Sequence, residues 1–260
     1  MLKNTLLKAA EAGAGQIMRY FQGDFRISHK EGVNNLVTEA DHASEKAILD
    51  VIRSEYPDHY ILSEETGKLA QESPYKWIVD PIDGTVNFAN GIPINCVSIA
   101  LEKDGEVIMG CVLNPHLNEL FFAEKGKGAT LNEHPIQVSD QAKVLHSCLV
   151  TGFPYTYLDM ENGPVDVFAR LVRSGIPVRR LGSAAIDLCW VAAGRFDGFY
   201  EHKLEAWDSA AGFLIVEEAG GRVTHIDGTP YSPYQPGLVA TNGIIHNELL
   251  DVIHNRAKVG

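Results

Sequence analysis

The chain has 260 residues, of which 45% are hydrophobic and 22% charged, proportions typical of a globular protein with a sizeable core. Its formal net charge of −12 disfavours nucleic acid or an anionic membrane as a partner, since both need a basic face. Four scattered cysteines without a C-x-x-C pair indicate reduced thiols, and we expect a cytoplasmic protein. We expect no signal peptide, because Lys3, Lys8 and Glu11 interrupt the first apolar residues, and no apolar run is long enough to span a membrane.

The N-terminal region is predicted to be a helix followed by a loop. Apolar residues at helical spacing predict an amphipathic helix over residues 3–21, where Gly13 and Gly15 are interpreted as sites of close helix packing. Residues 27–35 are mostly polar and are predicted to form a loop. Lys30 in this loop is interpreted from the residues alone as a solvated surface lysine.

A second helix and a strand follow. Thr38–Asp41 resembles a capping box that begins the helix, so we interpret Asp41 as a cap partner and not as a ligand. Tyr60–Ser63 is predicted to be a strand. Glu64 and Glu65 come directly after it, and one of them either points into a site or is solvated like most adjacent glutamates.

The next strand ends in a pair of aspartates. Trp77–Val79 is an apolar run typical of a buried strand, which we expect to stop at Asp80 because Pro81 cannot donate a ladder hydrogen bond. Asp83 follows three positions later, and Gly84 allows the backbone to turn sharply. Two carboxylates about 4 Å apart repel by roughly 4 kcal/mol at an effective dielectric of 20. A hard cation removes that repulsion, and Mg²⁺ suits such oxygen ligands.

The residues after the aspartates offer a second kind of contact. Gly84 and Thr85 are predicted to open a short helical turn, whose unpaired N–H groups are of the kind that bind phosphate. An alternative interpretation is an ordinary strand-to-turn corner in which an aspartate caps the next turn. The D-P-x-D-G pattern alone does not distinguish the two.

The remaining chain mixes strands and helices. Residues 94–102, 106–115 and 119–124 predict an antiparallel meander, with a hairpin turn at Gly126. Further elements are predicted as strands at 149–151, 196–201 and 237–240 and as helices at 161–173, from 182, at 206–221 and at 244–254. We place Asp208 at the N-cap of the helix that starts at residue 206. The fold class is therefore α/β or mixed α+β in one compact unit.

Three motifs resemble those of the inositol monophosphatase family, the lithium-sensitive, magnesium-dependent sugar phosphatases. They are Glu64-Glu65 after a strand, Asp80-Pro81-Ile82-Asp83-Gly84-Thr85, and Trp207-Asp208-Ser209-Ala210-Ala211 running to Glu218-Ala219-Gly220-Gly221. Their order and spacing are specific, and the resemblance extends over nearly the whole chain. It implies a layered αβαβα sandwich, a single domain over residues 1–260 with halves of about 1–145 and 146–260, and a homodimer.

The resemblance also implies a role for individual residues. One magnesium would be held by Glu64, Asp80 and the carbonyl of Ile82, a second by Asp80, Asp83 and Asp208, and a third, weaker ion would lie near Glu64. Gly84 and Thr85 match the phosphate-binding amides, and the Thr85 hydroxyl with Glu64 matches the pair that orients the attacking water. Glu201 and the backbone of Ala184 match positions that meet substrate hydroxyls, and Lys30 matches a lysine on a loop over the site.

The function implied is Mg²⁺-dependent hydrolysis of a small phosphate monoester, most simply myo-inositol 1-phosphate, by a metal-activated water. The same motifs serve phosphatases for fructose 1,6-bisphosphate, NADP, 3′-phosphoadenosine 5′-phosphate and histidinol phosphate, and Glu201 favours a polyol among these. A different reading is a family member that acts mainly by binding a protein partner. A carboxylate-metal nuclease is disfavoured because no basic track is visible.

Overall fold

The computed structural model describes residues 1–23, 25–29, 36–69, 72–154, 160 and 162–256. Within these ranges the α-helices are α1 (Leu2–Tyr20), α2 (Glu39–Glu55), α3 (Thr85–Ala89), α4 (Pro164–Arg173), α5 (Ala184–Ala192), α6 (Ala206–Glu218) and α7 (His246–Ile253). The strands are β1 (Ile27–His29), β2 (Leu36–Thr38), β3 (Tyr60–Ser63), β4 (Gly67–Leu69), β5 (Tyr75–Asp83), β6 (Cys96–Lys103), β7 (Glu106–Asn114), β8 (Glu119–Glu124), β9 (Ala129–Leu131), β10 (His134–Pro135), β11 (Leu149–Thr151), β12 (Val178–Arg179), β13 (Gly198–Glu201), β14 (Arg222–Thr224) and β15 (Leu238–Thr241).

The described elements stack in five layers. Helices α1 and α2 cover one face of an eight-stranded sheet with the order β10-β9-β8-β7-β6-β5-β3-β4. Helices α5 and α6 fill the space between this sheet and a five-stranded sheet of order β12-β11-β13-β15-β14. Helices α4 and α7 pack on the far face of the smaller sheet. The layered αβαβα sandwich is therefore confirmed.

Strand β5 shows why the larger sheet needs helices on both faces. Trp77 and Val79 point into the core formed with α1 and α2, whereas Ile78 belongs to the core formed with α5 and α6. Alternate residues of a strand face opposite sides, so an uninterrupted apolar run suits a strand that is buried on both. The prediction of a buried strand from residue 77 is confirmed.

The end of β5 differs from the prediction. The strand does not stop at Asp80 but continues to Asp83 through an irregularity: Asp80 pairs with Ser98 and Asp83 with Cys96. Three steps along β5 thus correspond to two along β6, which is a β-bulge with one extra residue. The bulge includes Pro81, which has no N–H to contribute to the ladder. The strand therefore ends three residues later than expected. A bulge of this kind changes the direction in which the following side chains point.

Most other predicted elements are confirmed, with one exception near the N-terminus. The meander β6–β7–β8 is antiparallel, and helices α4, α6 and α7 begin and end within three residues of the predicted limits. However, Ile27–His29, predicted as loop, is strand β1 and pairs antiparallel with β2. Residues 30–35, including Lys30, lie outside the described residues. In the part of the chain that the structure describes, no helix has the length and apolarity to cross a lipid bilayer.

The two glycines of α1 differ in their surroundings. A Cβ at Gly13 would lie 2.7 Å from Cδ1 of Ile48 and 2.9 Å from Oγ of Ser44, both on α2. A Cβ at Gly15 would meet nothing within 4 Å. Close helix packing therefore explains Gly13, as predicted, but the same interpretation is wrong for Gly15.

We expect opposite effects when each glycine is replaced by alanine. Gly15→Ala should raise the free energy of unfolding by about 0.5–1 kcal/mol, because alanine is the better helix former. Gly13→Ala should lower it by about 1–3 kcal/mol, because the methyl group overpacks the contact with α2. Urea unfolding of the two variants beside the parent protein measures both effects, and a stabilising Gly13→Ala would contradict the packing argument.

Candidate active site

A cleft of about 640 Å³ lies where the ends of β3, β5 and β13 meet the first turns of α3, α5 and α6. Nine of the ten nominated site residues line it, namely Glu64, Asp80, Ile82, Asp83, Gly84, Thr85, Ala184, Glu201 and Asp208. The tenth, Lys30, is outside the described residues. The fold thus brings together side chains that are far apart in the sequence.

Gly84 makes the corner between β5 and α3. Its φ of 93° is in the left-handed region, and an added Cβ would lie 2.9 Å from the carbonyl oxygen of Ile94 and 3.2 Å from that of Gly182. Only glycine satisfies both the conformation and the space. Helix α3 begins at the next residue, so the predicted sharp turn into a short helix is confirmed.

Asp80 and Thr85 are oriented by the backbone between them. The N–H of Ile82 donates to Oδ1 of Asp80 at 3.0 Å, and the Thr85 hydroxyl lies 3.0 Å from the Ile82 carbonyl oxygen. Asp80 is only 1% exposed. The bulged segment therefore holds the Asp80 carboxylate at the N–H of Ile82 and the Thr85 hydroxyl at the carbonyl of the same residue.

Asp41 has a role that the spacing of the sequence does not reveal. Its Oδ2 accepts from the N–H of Thr38 at 2.8 Å and from the Thr38 hydroxyl at 2.6 Å, so the predicted capping box is confirmed. Its Oδ1 lies 3.1 Å from the Thr85 hydroxyl, which can donate its single proton to Asp41 or to the Ile82 carbonyl. Burial raises the pKa of Asp41 to about 6, although the Thr38 hydrogen bonds oppose the shift.

Asp83 connects β5 to α5. Its Oδ2 accepts from the Ser183 hydroxyl and from the N–H of Ala185, both at 2.7 Å. The aspartate thus satisfies an N-terminal N–H of α5, and not of the next turn as the alternative interpretation held. Burial raises the pKa of Asp83 to about 6, and the hydrogen bond from Ser183 works against this rise.

Asp208 is not the N-cap of α6, so this prediction is wrong. The N-cap is Glu205, and Asp208 is the third residue of the helix, where its Oδ2 accepts from the N–H of Glu205 at 2.7 Å. A carboxylate at this position reaches back to the cap residue, as in a capping box. Burial, followed by the charges of Asp83 and Glu64, raises the pKa of Asp208 well above its usual range.

These carboxylates lie in one another's electric field. Burial raises the pKa of Asp80 well above its usual range, and the charges of Glu64, Asp83 and Asp208 raise it further. Among the described residues, no three His, Cys, Asp or Glu side chains form a ready-made metal cluster, and Asp80, Asp83 and Asp208 are each held by protein donors. Hard oxygen donors placed this close together nevertheless fit a hard divalent cation.

The opposite wall of the cleft comes from the smaller sheet and α5. Ala184 is the first residue of α5, and Glu201 is the last residue of β13. Burial raises the pKa of Glu201 to about 8, with the charge of Asp83 adding to the shift and that of Arg180 opposing it. Arg180 also lines the cleft. It was not nominated, although the pair Arg179-Arg180 in an acidic chain was a usable signal.

Comparison with known proteins decides the family. The model of the inositol monophosphatase family matches residues 2–258. The chain belongs to this family. A relative named inositol-1-monophosphatase from Synechocystis sp. is 44% identical over 93% of this chain and 85% of its own. A relative named Nus factor SuhB from Haemophilus influenzae is 40% identical over 97% of this chain and 95% of its own.

Solved structures of similar proteins agree with this assignment. The extragenic suppressor protein suhB from Bartonella henselae has a TM-score of 0.92 at 35% identity, covering 97% of this chain and 98% of its own. The inositol monophosphatase from Anabaena (Nostoc) sp. PCC 7120 has a TM-score of 0.86 at 38% identity, covering 98% and 96%. With its family, the chain is a phosphoric monoester hydrolase. The inositol monophosphatase family is generally magnesium-dependent.

The raised carboxyl pKa values predict how stability depends on pH in the presence of a chelator. Burial raises the pKa of Glu201 from 4.5 to about 8, so at intermediate pH the folded protein holds a proton that the unfolded chain has lost. The free energy of unfolding should therefore fall as pH rises through this window. Glu201→Gln removes this contribution, on the order of 3 kcal/mol between pH 5 and pH 8.

Urea unfolding at pH 5 and pH 8, with EDTA throughout, measures the effect. The Glu201→Gln variant should lose less stability between the two values than the parent protein does. Equal losses in the two proteins would show that Glu201 does not carry a raised pKa.

Proposed function

We propose that the chain is a Mg²⁺-dependent phosphatase that hydrolyses a small polyol phosphate, most simply myo-inositol 1-phosphate. The observation that carries this proposal is the meeting of the carboxylates of Glu64, Asp80, Asp83 and Asp208 in one cleft, opposite Glu201. Phosphoryl transfer needs positioning and neutralisation of charge more than covalent chemistry. A cation-binding wall facing a hydroxyl-binding wall supports a phosphate ester as the substrate.

The acidic wall is the proposed magnesium site. Glu64, Asp80, Asp83, Asp208 and the carbonyl of Ile82 would hold two to three ions. When bound, the ions supply Lewis-acid charge for the phosphate and lower the pKa of a coordinated water. Three of these carboxylates are fixed by protein donors: Ile82 donates to Asp80, Ser183 to Asp83 and Glu205 to Asp208. Their other lone pairs are available to the ions.

The chain's own residues would orient the phosphate and the water. The first N–H groups of a helix have no helical partner, so those of Gly84 and Thr85 at the start of α3 are available to phosphate oxygens. The Thr85 hydroxyl, when it donates to Asp41 or to the Ile82 carbonyl, keeps a lone pair that can accept from a water. Glu64 is the second group proposed to orient that water.

Two features of the cleft bear on the substrate. Glu201 and the backbone of Ala184 on the opposite wall suit the hydroxyls of a polyol. Arg180 and Lys203 also line the cleft and favour the alternative of a second phosphate, as in fructose 1,6-bisphosphate, NADP or 3′-phosphoadenosine 5′-phosphate. Histidinol phosphate carries an amine, for which Glu201 would be the partner. These substrates are therefore the ones to compare.

A protein-binding function is a second candidate, because the Haemophilus influenzae relative is named Nus factor SuhB. Binding and catalysis do not exclude each other, since the carboxylates that we assign to magnesium lie inside the cleft. The net charge of −12 disfavours direct contact with nucleic acid. We further propose a homodimer and a cytoplasmic location, as the resemblance and the composition imply.

Phosphate release from each candidate substrate tests the proposed activity. We expect myo-inositol 1-phosphate to have the highest kcat/KM among the five substrates, with release abolished by EDTA and restored by Mg²⁺. Preference for a substrate with two phosphates would indicate that Arg180 and Lys203 bind a second phosphate and would contradict the proposed polyol substrate. Release that is indifferent to EDTA would contradict the magnesium proposal.

Asp208→Asn tests the role of the acidic wall. The amide oxygen can still accept from the N–H of Glu205, so we expect the fold to persist while kcat falls roughly 10²-fold or more at saturating Mg²⁺. Asp50→Asn, on the exposed side of α2 and outside the cleft lining, is the matched control and should keep full activity. Full activity in Asp208→Asn would remove this residue from the proposed ligand set.

A further inference from the structure

Strand pairing in the smaller sheet places Gly152 directly beside Glu201. Strands β11 and β13 are parallel, with Thr151 opposite Tyr200, and the Thr151 hydroxyl donates to the Tyr200 carbonyl at 2.7 Å. The next residue of each strand path is Gly152 on one side and Glu201 on the other. Both residues line the cleft.

The Glu201 carboxylate occupies the space where a side chain at position 152 would begin. A Cβ built on Gly152 would lie 2.6 Å from Oε1 of Glu201 and closer still to Oε2 and Cδ. Ordinary contacts of a Cβ begin at 3.4 Å, so any side chain at this position forces the carboxylate to move. Gly152 is absent from the residues with positive φ, and its backbone is therefore open to alanine.

The Glu201 carboxylate lies against the backbone of Gly152. Within the described residues, no hydrogen bond reaches the carboxylate of Glu201, which is 9% exposed. Asp80, Asp83 and Asp208 differ in this respect, because each accepts a hydrogen bond from a protein donor. The position of a carboxylate without a donor depends on the surface against which it lies, and for Glu201 the backbone of Gly152 is part of that surface.

We propose that Gly152 is a specificity-determining position, whose missing side chain seats the Glu201 carboxylate so that it faces a hydroxyl of the leaving group. This inference rests on the proposed function, in which Glu201 meets a substrate hydroxyl. Gly152 acts through Glu201 and is a positioning residue, not a catalytic one. A displacement of about 1 Å at such a contact can cost roughly 10²-fold in rate.

The test compares two substrates in four proteins and one control variant. Gly152→Ala is made in the parent protein and in a Glu201→Ala background, where the space above position 152 is empty. For each protein, kcat/KM is measured with Mg²⁺ for myo-inositol 1-phosphate and for p-nitrophenyl phosphate, whose leaving group has no further hydroxyl. Gly15→Ala, which adds the same methyl group where nothing lies within 4 Å, is the control for the substitution itself.

We expect Gly152→Ala to lower the ratio of the two kcat/KM values at least tenfold in the parent protein and to have no further effect in the Glu201→Ala background. Gly15→Ala should leave the ratio unchanged. An unchanged ratio in Gly152→Ala, or an equal fall in both backgrounds, overturns the proposal. If Gly152→Ala alone does not fold, a folded Gly152→Ala/Glu201→Ala protein supports the steric contact, and failure of both overturns it.

The outcomes separate this inference from the function on which it rests. A parent protein that releases no phosphate from either substrate with Mg²⁺ contradicts the proposed function. If the parent protein is active but Gly152→Ala leaves the ratio of the two kcat/KM values unchanged, only the role of Gly152 is contradicted.

Discussion

Repulsion among buried carboxylates is the constraint on which this structure depends. Asp80, Asp83 and Asp208 come from two elements of the sandwich, β5 and α6, and Glu64 follows β3. Burial, and after it the charges of neighbouring carboxylates, raises the pKa of all three aspartates. A fold does not gather acidic groups in this way for stability, because each group costs free energy to desolvate. The arrangement is reasonable for a site that receives a cation.

Donors of the protein itself orient three of these carboxylates. Asp80 is held by the backbone of its own bulge, Asp83 by the first turn of α5, and Asp208 by the cap residue of α6. Asp83 is the central case, because its hydrogen bonds to Ser183 and Ala185 also join the larger sheet to the helical layer between the sheets. Outer donors of this kind fix ligand orientation in metal sites. The site and the packing of the layers are therefore parts of one arrangement.

The elements that could be predicted correctly are those with strong local signals in the sequence. The apolar run from Trp77 revealed a strand buried on both faces, and the capping box at Thr38 revealed the start of α2. The bulge before Asp83 was missed because local sequence shows that a proline interrupts the ladder, but not that the partner strand continues past it. Two contacts could not be predicted, namely that of Asp41 with Thr85 and that of Gly152 with Glu201. Both depend on tertiary packing, which leaves no periodic pattern in the sequence. The family resemblance nominated the cleft residues, and the structure brings nine of them together.

The central claim is that cations replace protons among these carboxylates. Isothermal titration of the protein with Mg²⁺, in two buffers of different ionisation enthalpy, counts the protons released on binding. Because the pKa of Asp83 is raised to about 6, part of the Asp83 population holds a proton at pH 6, and binding at that pH should release it. The release from Asp83 should decrease at pH 8. Binding without proton release at either pH, or no binding at millimolar Mg²⁺, would contradict the account.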